Sequence, residues 1–244
     1  MRYEVFGGVG GTNFLGELGG ANRTGSDYIS DLEISMTRPA FTLGGRYYLD
    51  RRVGLVTSFS YGWLRGEDSR TQEIHRNNRN LQFRSPIVEW QWRLEYSILT
   101  ERKGHRYDLR KVRGLMGNKI VIDAFIGVAG FYFNPRAKDN RPGGTGKYYS
   151  LRKVGTEGQN FTETRKPYSR FSFSIPIGFQ IRYVINRKWS LIWDIAMRQT
   201  FTDYIDDVSK TYVEGSDVAK YNKNKKVSPE LAEYFADPSI SKNQ

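Results

Sequence analysis

Apolar and polar residues alternate along this chain with a period of two over unusually long segments. In the clearest segment, every second residue from Phe171 to Tyr183 is apolar, and the residues between them are mostly polar or small. The same order holds from Val88 to Ile98 and, less strictly, from Val53 to Trp63 and from Trp189 to Met197. An α-helix has a period of 3.6 residues and does not keep such an order on one face, so these segments predict β-strands.

Three weaker segments complete a set of seven predicted strands. They are Tyr3–Asn13, which is rich in glycine, Arg38–Leu49 and Ile120–Phe133. Several of the seven are about twice as long as the usual strand of 5 to 6 residues in globular proteins. A tilted strand of about 9 to 11 residues crosses a bilayer, so the lengths match those of membrane-spanning strands.

The connections between the predicted strands alternate between long and short. Long polar stretches follow the first, third, fifth and seventh strands, whereas tight turns at 50–52 and 186–188 follow the second and sixth. Short turns on one rim and long loops on the other are typical of bacterial outer-membrane barrels. The connection 100–118 departs from this order, because it is long although it falls on the short-turn side.

These patterns predict an all-β fold, a transmembrane antiparallel up-and-down β-barrel of eight strands, seven of them visible here. Bacterial barrels have even strand numbers, and an open edge in lipid leaves backbone groups without hydrogen bonds. No alternating segment follows Phe201, so we expect the natural chain to continue past Gln244 into the last strand, and to be exported by a signal peptide that precedes this sequence. Residues 1–201 are assigned to the barrel with its loops. Residues 202–244 are assigned to a long extra-barrel loop or tail, in which 229–236 predicts a short helix.

Alternation alone does not tell which face points inward. A soluble barrel of the lipocalin type has its apolar face inside, whereas a membrane barrel has it outside. Aromatic residues near strand ends, possible ion pairs on the polar face and the loop asymmetry favour the membrane arrangement. The residues predicted to face lipid are Val88, Trp90, Trp92, Leu94, Phe171, Phe173, Ile175, Ile177, Phe179 and Trp193. The residues predicted to form an ion-pair network in the lumen are Glu89, Arg93, Glu95, Asp123, Arg182, Asp194 and Arg198.

The composition excludes several classes of function. The 244 residues include 38 Lys and Arg, 26 Asp and Glu and no Cys, which gives a net charge of +12 and excludes thiolate metal sites, disulfides and cysteine nucleophiles. The mean hydropathy of −0.62 resembles that of soluble proteins, but a barrel with a wet lumen and large loops also has a low average. His75 and His105 are the only histidines and form no metal-binding motif, so we expect neither enzymatic activity nor a cofactor.

An acidic run, Asp203, Asp206 and Asp207, follows the last predicted strand. Its carboxylates are of the type that binds a hard cation, but the spacing is not that of a known calcium loop. The alternative is a packed loop in which the Asp side chains accept backbone N–H bonds.

A basic segment occupies the long connection on the short-turn side. The residues predicted to bind a partner are Arg102, Lys103, Arg106, Arg110, Lys111 and Arg113, together with Arg51, Arg52, Arg187 and Lys188 in the two tight turns. Such a rim suits an acidic surface of a periplasmic protein, and a solvated turn region is the alternative. Nucleic acid is not an expected partner, because the aromatic residues lie on the apolar face of strands and not among the basic residues.

Several motifs resemble, in order, those of the PorG-like outer-membrane barrels of the Bacteroidetes type IX secretion system. The shorter ones are Asn13–Gly19, Arg38–Ala40, Arg79–Ile87, Phe131–Pro135 and Gly155–Gln159. The most specific one is Thr200–Ser209, followed by Thr211–Val213. Together they span about residues 3 to 213. The family has a signal peptide and a final amphipathic strand that this sequence lacks, which agrees with the expectation that it is clipped at both ends.

The resemblance implies a non-enzymatic subunit of a protein secretion machinery in the cell envelope. Proteins of this family are associated with the periplasmic ring of the lipoprotein PorK and its partner PorN, and are required for export of cargo with C-terminal sorting domains. The expected partners are therefore PorK, PorN and the lipid bilayer of the Gram-negative outer membrane. The alternative is a small outer-membrane barrel whose long surface loops bind an external ligand, as in an adhesin or a transporter.

Overall fold

The computed structural model describes residues 2–15, 34–70, 74–101, 119–159, 161–162, 165–186, 188–209, 213–223 and 227–239. Their strands are β1 (Tyr3–Thr12), β2 (Arg38–Tyr48), β3 (Val53–Glu67), β4 (Gln82–Leu99), β5 (Ile120–Phe133), β6 (Arg136–Lys138), β7 (Tyr148–Ser150), β8 (Phe171–Val184) and β9 (Ser190–Thr200). The helices are α1 (Ile74–Arg79), α2 (Leu151–Val154), α3 (Gly215–Asn222) and α4 (Pro229–Ala236), with single 3₁₀ turns at Ile34–Met36 and Asp68–Arg70. No helix in these ranges has both the length and the apolar character needed to cross a membrane.

The seven predicted strands are confirmed as the seven long ones, and the helix predicted at 229–236 is confirmed as α4. Ser228 begins this helix, because its hydroxyl accepts the backbone N–H of Leu231 at 3.3 Å. β3 and β4 extend further than predicted, until Glu67 lies opposite Gln82. The sequence pattern misses this extension because the outward positions there carry charged and polar side chains.

The long strands form one antiparallel sheet in the order β1-β2-β3-β4-β5-β8-β9. Each long strand pairs with the next one along the chain, so the up-and-down topology is confirmed. β6 adds to the long-loop end of β4 and pairs with β7 as a short hairpin. The tight turns that join β2 to β3 and β8 to β9 lie on one rim, which we call the short-turn rim, and the other rim is the long-loop rim.

The sheet is curled so strongly that side chains from distant strands meet on its concave face. Arg46 on β2 donates to Gln180 on β8 at 2.8 Å, and Ser190 on β9 donates to Glu4 on β1 at 3.2 Å. The concave face carries the polar set of the alternation and the convex face carries the apolar set. The apolar interior of a soluble calyx is therefore not adopted.

Gly178 is needed where inner side chains crowd the sheet. A Cβ added to Gly178 on β8 would lie 2.0 Å from the backbone oxygen of Ile195 and 2.7 Å from the ring of Phe125. Only a residue without a side chain fits there, which is the usual reason for a glycine inside a strand of a narrow barrel.

The long-loop rim carries a folded cap with its own hydrophobic core. The hairpin β6–β7, helices α2 to α4 and the segment 201–209 contribute to this cap. The core of the cap consists of Ala137, Leu151, Val154, Val218, Leu231, Ala232, Phe235 and Ala236. A second cluster joins the cap to the barrel end and consists of Phe83, Phe131, Phe133, Tyr168 and Ile205. The sequence pattern describes these regions as long polar connections, because each element is too short to show a clear period.

Candidate functional site in the lumen, the outer belt and the rims

All seven residues predicted for the lumen lie on the concave face of the sheet. Arg93, Glu95, Asp123, Arg182 and Asp194 belong to one connected network of ion pairs and hydrogen bonds. Glu89 and Arg198 form a separate pair nearer the long-loop rim. Five of the seven are buried, while the side chains of Asp194 and Arg198 are 37% and 39% exposed.

Arg46 is the centre of the connected network, although it is not among the lumen residues predicted from the sequence. Its guanidinium donates to both carboxylate oxygens of Glu95, at 2.6 and 3.3 Å, to Glu4 and to the Gln180 amide oxygen. The Arg46 side chain is only 1% exposed. Arg46 and Glu4 occupy the polar face of their strands, so the alternation of β1 and β2 contains the signal that would have identified them.

Asp123 and Arg182 are two further residues of the lumen network that each contact several side chains. Asp123 accepts from Ser97 and, at 3.0 Å, from the amide nitrogen of Gln180, and it lies 3.6 Å from Arg182. Arg182 also contacts Glu4 at 2.9 Å and the Tyr48 hydroxyl.

The pair of Glu89 and Arg198 is bidentate, with three N–O contacts between 2.8 and 3.1 Å. This planar geometry is the strongest form of an Arg–carboxylate contact.

The lumen chemistry is that of a packed interior. Among the described residues of the lumen, five carboxylates face four guanidiniums, and each carboxylate contacts at least one of them. The Arg93 guanidinium also lies 4.1 Å from the centre of the Phe125 ring, so charged and aromatic groups fill the space together. Carboxylates held in a fully paired buried network rigidify a structure.

The convex face is an apolar surface that we call the outer belt. Of the ten residues predicted to face lipid, eight are exposed on this surface, and Val88 and Ile175 are partly buried there. Trp90, Trp193 and Phe173 are 54%, 70% and 72% exposed. The indole N–H of Trp90 donates to Thr57 at 3.0 Å, so its polar atom is satisfied within the belt.

The short-turn rim brings together part of the predicted partner-binding set. Arg51, Arg52 and Lys188 are exposed in the two turns, and Arg52 reaches the Tyr96 hydroxyl at 3.5 Å. Arg102, Lys103, Arg106, Arg110, Lys111, Arg113 and Arg187 lie outside the described residues.

The motif 200–209 is a packed, hydrogen-bonded loop in the cap. Asp207 is buried with a left-handed backbone, at φ +70°, and accepts from the hydroxyls of Thr156 and Tyr168. Burial raises the pKa of Asp207 to about 7, against the lowering effect of these hydrogen bonds. Burial likewise raises the pKa of Tyr168, and the neighbouring Asp207 adds to that effect.

The same loop borders a small cavity of about 60 Å³ between the cap and residues 80–82 at the start of β4. Glu157, Asp206, Asp207 and Tyr234 are among its lining residues. Asp206 accepts the backbone N–H of Val208, as the packed-loop alternative predicts. Within the described ranges, no group of three or more His, Cys, Asp or Glu side chains is arranged to hold a metal ion.

The sequence was compared with models of protein families and with curated proteins, and the fold with solved structures, and none of the three comparisons gave a match.

Proposed function

We propose that this chain is an outer-membrane β-barrel subunit of the type IX protein secretion machinery and acts as a structural and docking component. The outer belt is the observation that carries the membrane part of this proposal. Large exposed apolar side chains such as Phe171, Phe173 and Trp193 follow one another on neighbouring strands of the convex face. Soluble monomers rarely expose a continuous apolar patch beyond a few hundred Å², so a lipid environment accounts for the belt.

The packed lumen supports a function that resides in the rims. Side chains of β2, β4 and β8 meet across the interior through Arg46, Glu95 and Gln180. A small barrel filled in this way has no space through which a polypeptide can pass. Export of protein cargo would therefore depend on what the rims bind.

The docking part of the proposal assigns the short-turn rim to the periplasm. Arg51, Arg52 and Lys188 are exposed there, and the basic segment 102–113 connects two strands on the same side. A cluster of positive charge steers and orients an acidic partner. The ordered motifs that resemble PorG-like proteins support the periplasmic ring of PorK and PorN as that partner.

Membrane insertion can be tested with the chain's own tryptophans. Trp90, Trp92, Trp189 and Trp193 are all exposed on the belt. We expect lipids with brominated acyl chains to quench the tryptophan fluorescence of the reconstituted protein strongly, and acrylamide in the water to quench it weakly. Strong quenching by acrylamide alone would contradict the membrane proposal.

Docking can be tested by charge reversal on the short-turn rim. In the variant Arg51→Glu/Arg52→Glu/Lys188→Glu, we expect the recovery of PorK and PorN with the barrel to fall markedly at low salt, and the difference from the wild type to shrink as salt is raised, because salt screens exposed charges. A second variant reverses Arg106, Arg110 and Lys111.

The matched control reverses three exposed lysines on the other rim, Lys147, Lys153 and Lys166, and should leave recovery unchanged. Equal recovery from all variants at low and high salt would argue against the docking role.

The folded cap favours one alternative, a barrel whose long-loop rim binds an external ligand. Its separate core around Val154, Val218 and Phe235 presents a shaped surface on that rim. Trypsin on intact cells distinguishes the two functions. Efficient cleavage after the exposed Lys147 of the hairpin loop supports an external receptor, whereas protection by associated proteins supports a subunit of a machinery.

A further inference from the structure

A row of three arginines crosses the convex face at the long-loop end of the outer belt. Arg65 on β3 lies directly opposite Arg84 on β4, and Arg84 lies directly opposite Arg136 on β6. All three occupy outward positions in the alternation of their strands. The Cα atoms of directly opposed residues are about 4.5 to 5.5 Å apart, so the three guanidiniums start from backbone positions about 10 Å across.

Such a row is unfavourable unless other groups compensate it, because like charges directly opposite each other repel. Arg65 has a carboxylate partner, Glu67, at 2.6 Å. Arg136 is exposed, and its guanidinium lies 3.1 to 3.2 Å from the Asn134 side chain when the amide is oriented with its oxygen toward it. Lys138, two residues further along β6, adds a fourth positive charge. The patch of Arg65, Arg84, Arg136, Lys138 and Glu67 therefore has a net charge of +3.

Arg84 is held in place by aromatic rings. Its guanidinium carbon lies 5.8 Å from the centre of the Trp63 ring and 5.9 Å from that of the Tyr148 ring. These distances are those of cation–π contacts. The Nε atom of Arg84 is buried and makes no hydrogen bond with the described residues. A guanidinium in contact with two rings has less rotational freedom, and its planar set of N–H groups suits a bidentate bond to phosphate.

The position of the row relative to the belt indicates which phosphate it meets. Val53 to Trp63 on β3 spans about 33 Å along the strand at about 3.3 Å per residue. A strand tilt of about 40° reduces this to about 25 Å along the membrane normal, which is the height of the apolar band in such barrels. Arg65 is the next outward residue beyond Trp63. The row therefore begins where the acyl chains end and the lipid headgroups begin.

We propose that Arg65, Arg84 and Arg136 form a binding site for the phosphate headgroup of an anionic lipid in the leaflet on the long-loop side. This inference rests on the proposed membrane location. One phosphate placed over Arg84 reaches the guanidiniums on either side, and it offsets the repulsion within the row. The acyl chains of the same lipid then lie against Trp63 and the apolar positions below it.

The test uses the whole chain, purified in detergent and titrated with phosphatidic acid, with retained lipid counted by native mass spectrometry. The variant Arg84→Gln/Arg136→Gln removes two charges. An arginine near an anionic surface contributes about a fivefold gain in binding, so we expect the affinity to fall by about 25-fold. Arg84→Lys keeps the charge but loses the planar fork, and it should weaken binding by several-fold.

The control variant Lys153→Gln/Lys220→Gln removes two exposed charges from the cap and should retain the wild-type affinity. Circular dichroism of every variant checks that it has folded, and Arg136→Gln alone is the fallback if Arg84 is needed for folding, because Arg136 is exposed. Equal lipid retention by wild type and by the folded Arg136→Gln variant overturns the site.

Two further experiments distinguish a lipid phosphate from a soluble phosphate, and the headgroup site from the membrane location. Inorganic phosphate at millimolar concentration should not displace the lipid, and displacement with equal affinity would overturn the lipid assignment in favour of a site for soluble anions. Reconstitution into phosphatidylcholine vesicles with and without phosphatidic acid, read by brominated-lipid quenching, tests insertion itself. Insertion without preference for phosphatidic acid overturns only the headgroup site, whereas failure to insert in either vesicle overturns the membrane location.

Discussion

Replacement of Arg46 by Met tests whether the lumen network holds the curled sheet together. Methionine replaces the apolar stem of arginine and carries no charge, so Glu95 would keep only Arg93 as a cationic partner and Glu4 would keep only Arg182. The lumen now has five carboxylates and four guanidiniums, and the substitution leaves five carboxylates and three guanidiniums. Breaking a buried ion pair on one side costs about 3 to 5 kcal/mol. We expect Arg46→Met to lower the free energy of unfolding by about that amount.

The double variant Arg46→Met/Glu95→Gln sharpens this test. Glutamine at position 95 removes the buried charge that Arg46 leaves behind, so we expect the double variant to recover about 2 kcal/mol relative to Arg46→Met alone. Urea unfolding in lipid vesicles or detergent, followed by tryptophan fluorescence, measures both values. A loss below about 1 kcal/mol for Arg46→Met, or a further loss in the double variant, would refute the view that Arg46 neutralises the centre of the lumen.

Three further substitutions test the packing of the cap, the contact between the cap and the barrel, and the close approach of two strands in the sheet. Asn at position 207 can still adopt the left-handed backbone conformation, so Asp207→Asn changes only the charge. Because the pKa of Asp207 is raised to about 7 from 3.8, the folded wild type retains a proton that the unfolded chain releases. The free energy of unfolding of the wild type should therefore fall by up to about 4 kcal/mol as pH rises from about 4 to 7 and stay level above pH 7. In urea unfolding, the variant should not show this dependence on pH. Phe133→Ala empties a fully buried position between cap and barrel and should cost about 3 to 5 kcal/mol by the same assay. Gly178→Ala forces a methyl group against the Ile195 carbonyl and should cost about 3 kcal/mol or abolish refolding, and wild-type stability would show that the strands can separate there.

The alternation of apolar and polar residues predicts most of the lumen residues, because the face on which a strand residue lies depends only on its position in that strand. A residue on an extended strand faces one side of the sheet, so the polar positions of β4, β5, β8 and β9 identify Glu89, Arg93 and Arg182 without knowledge of the fold. Arg46 was not identified because β2 is a weak segment with glycines, and its importance comes from distant strands. Its partners Glu95 and Gln180 lie 49 and 134 residues away along the chain.

The cap could not be predicted from the sequence for a different reason. Its elements are only 3 to 8 residues long, so none shows a long period, and its core is assembled from four separate pieces of chain. Asp207 illustrates the consequence. Its neighbours in sequence are consistent with either a cation loop or a packed turn, and the contacts with Thr156 and Tyr168, 51 and 39 residues away, select the packed turn.

The strands, their up-and-down order and the separation of apolar and polar faces follow from the sequence, because they depend on residues adjacent in the chain. Alternation leaves the direction of the apolar face open, since a period of two is symmetric, and the curl of the whole sheet places that face outward. The tertiary structure also decided which charges meet in the lumen and that Arg65, Arg84 and Arg136 stand in one row. Those juxtapositions depend on strand register, which backbone hydrogen bonds between distant segments set.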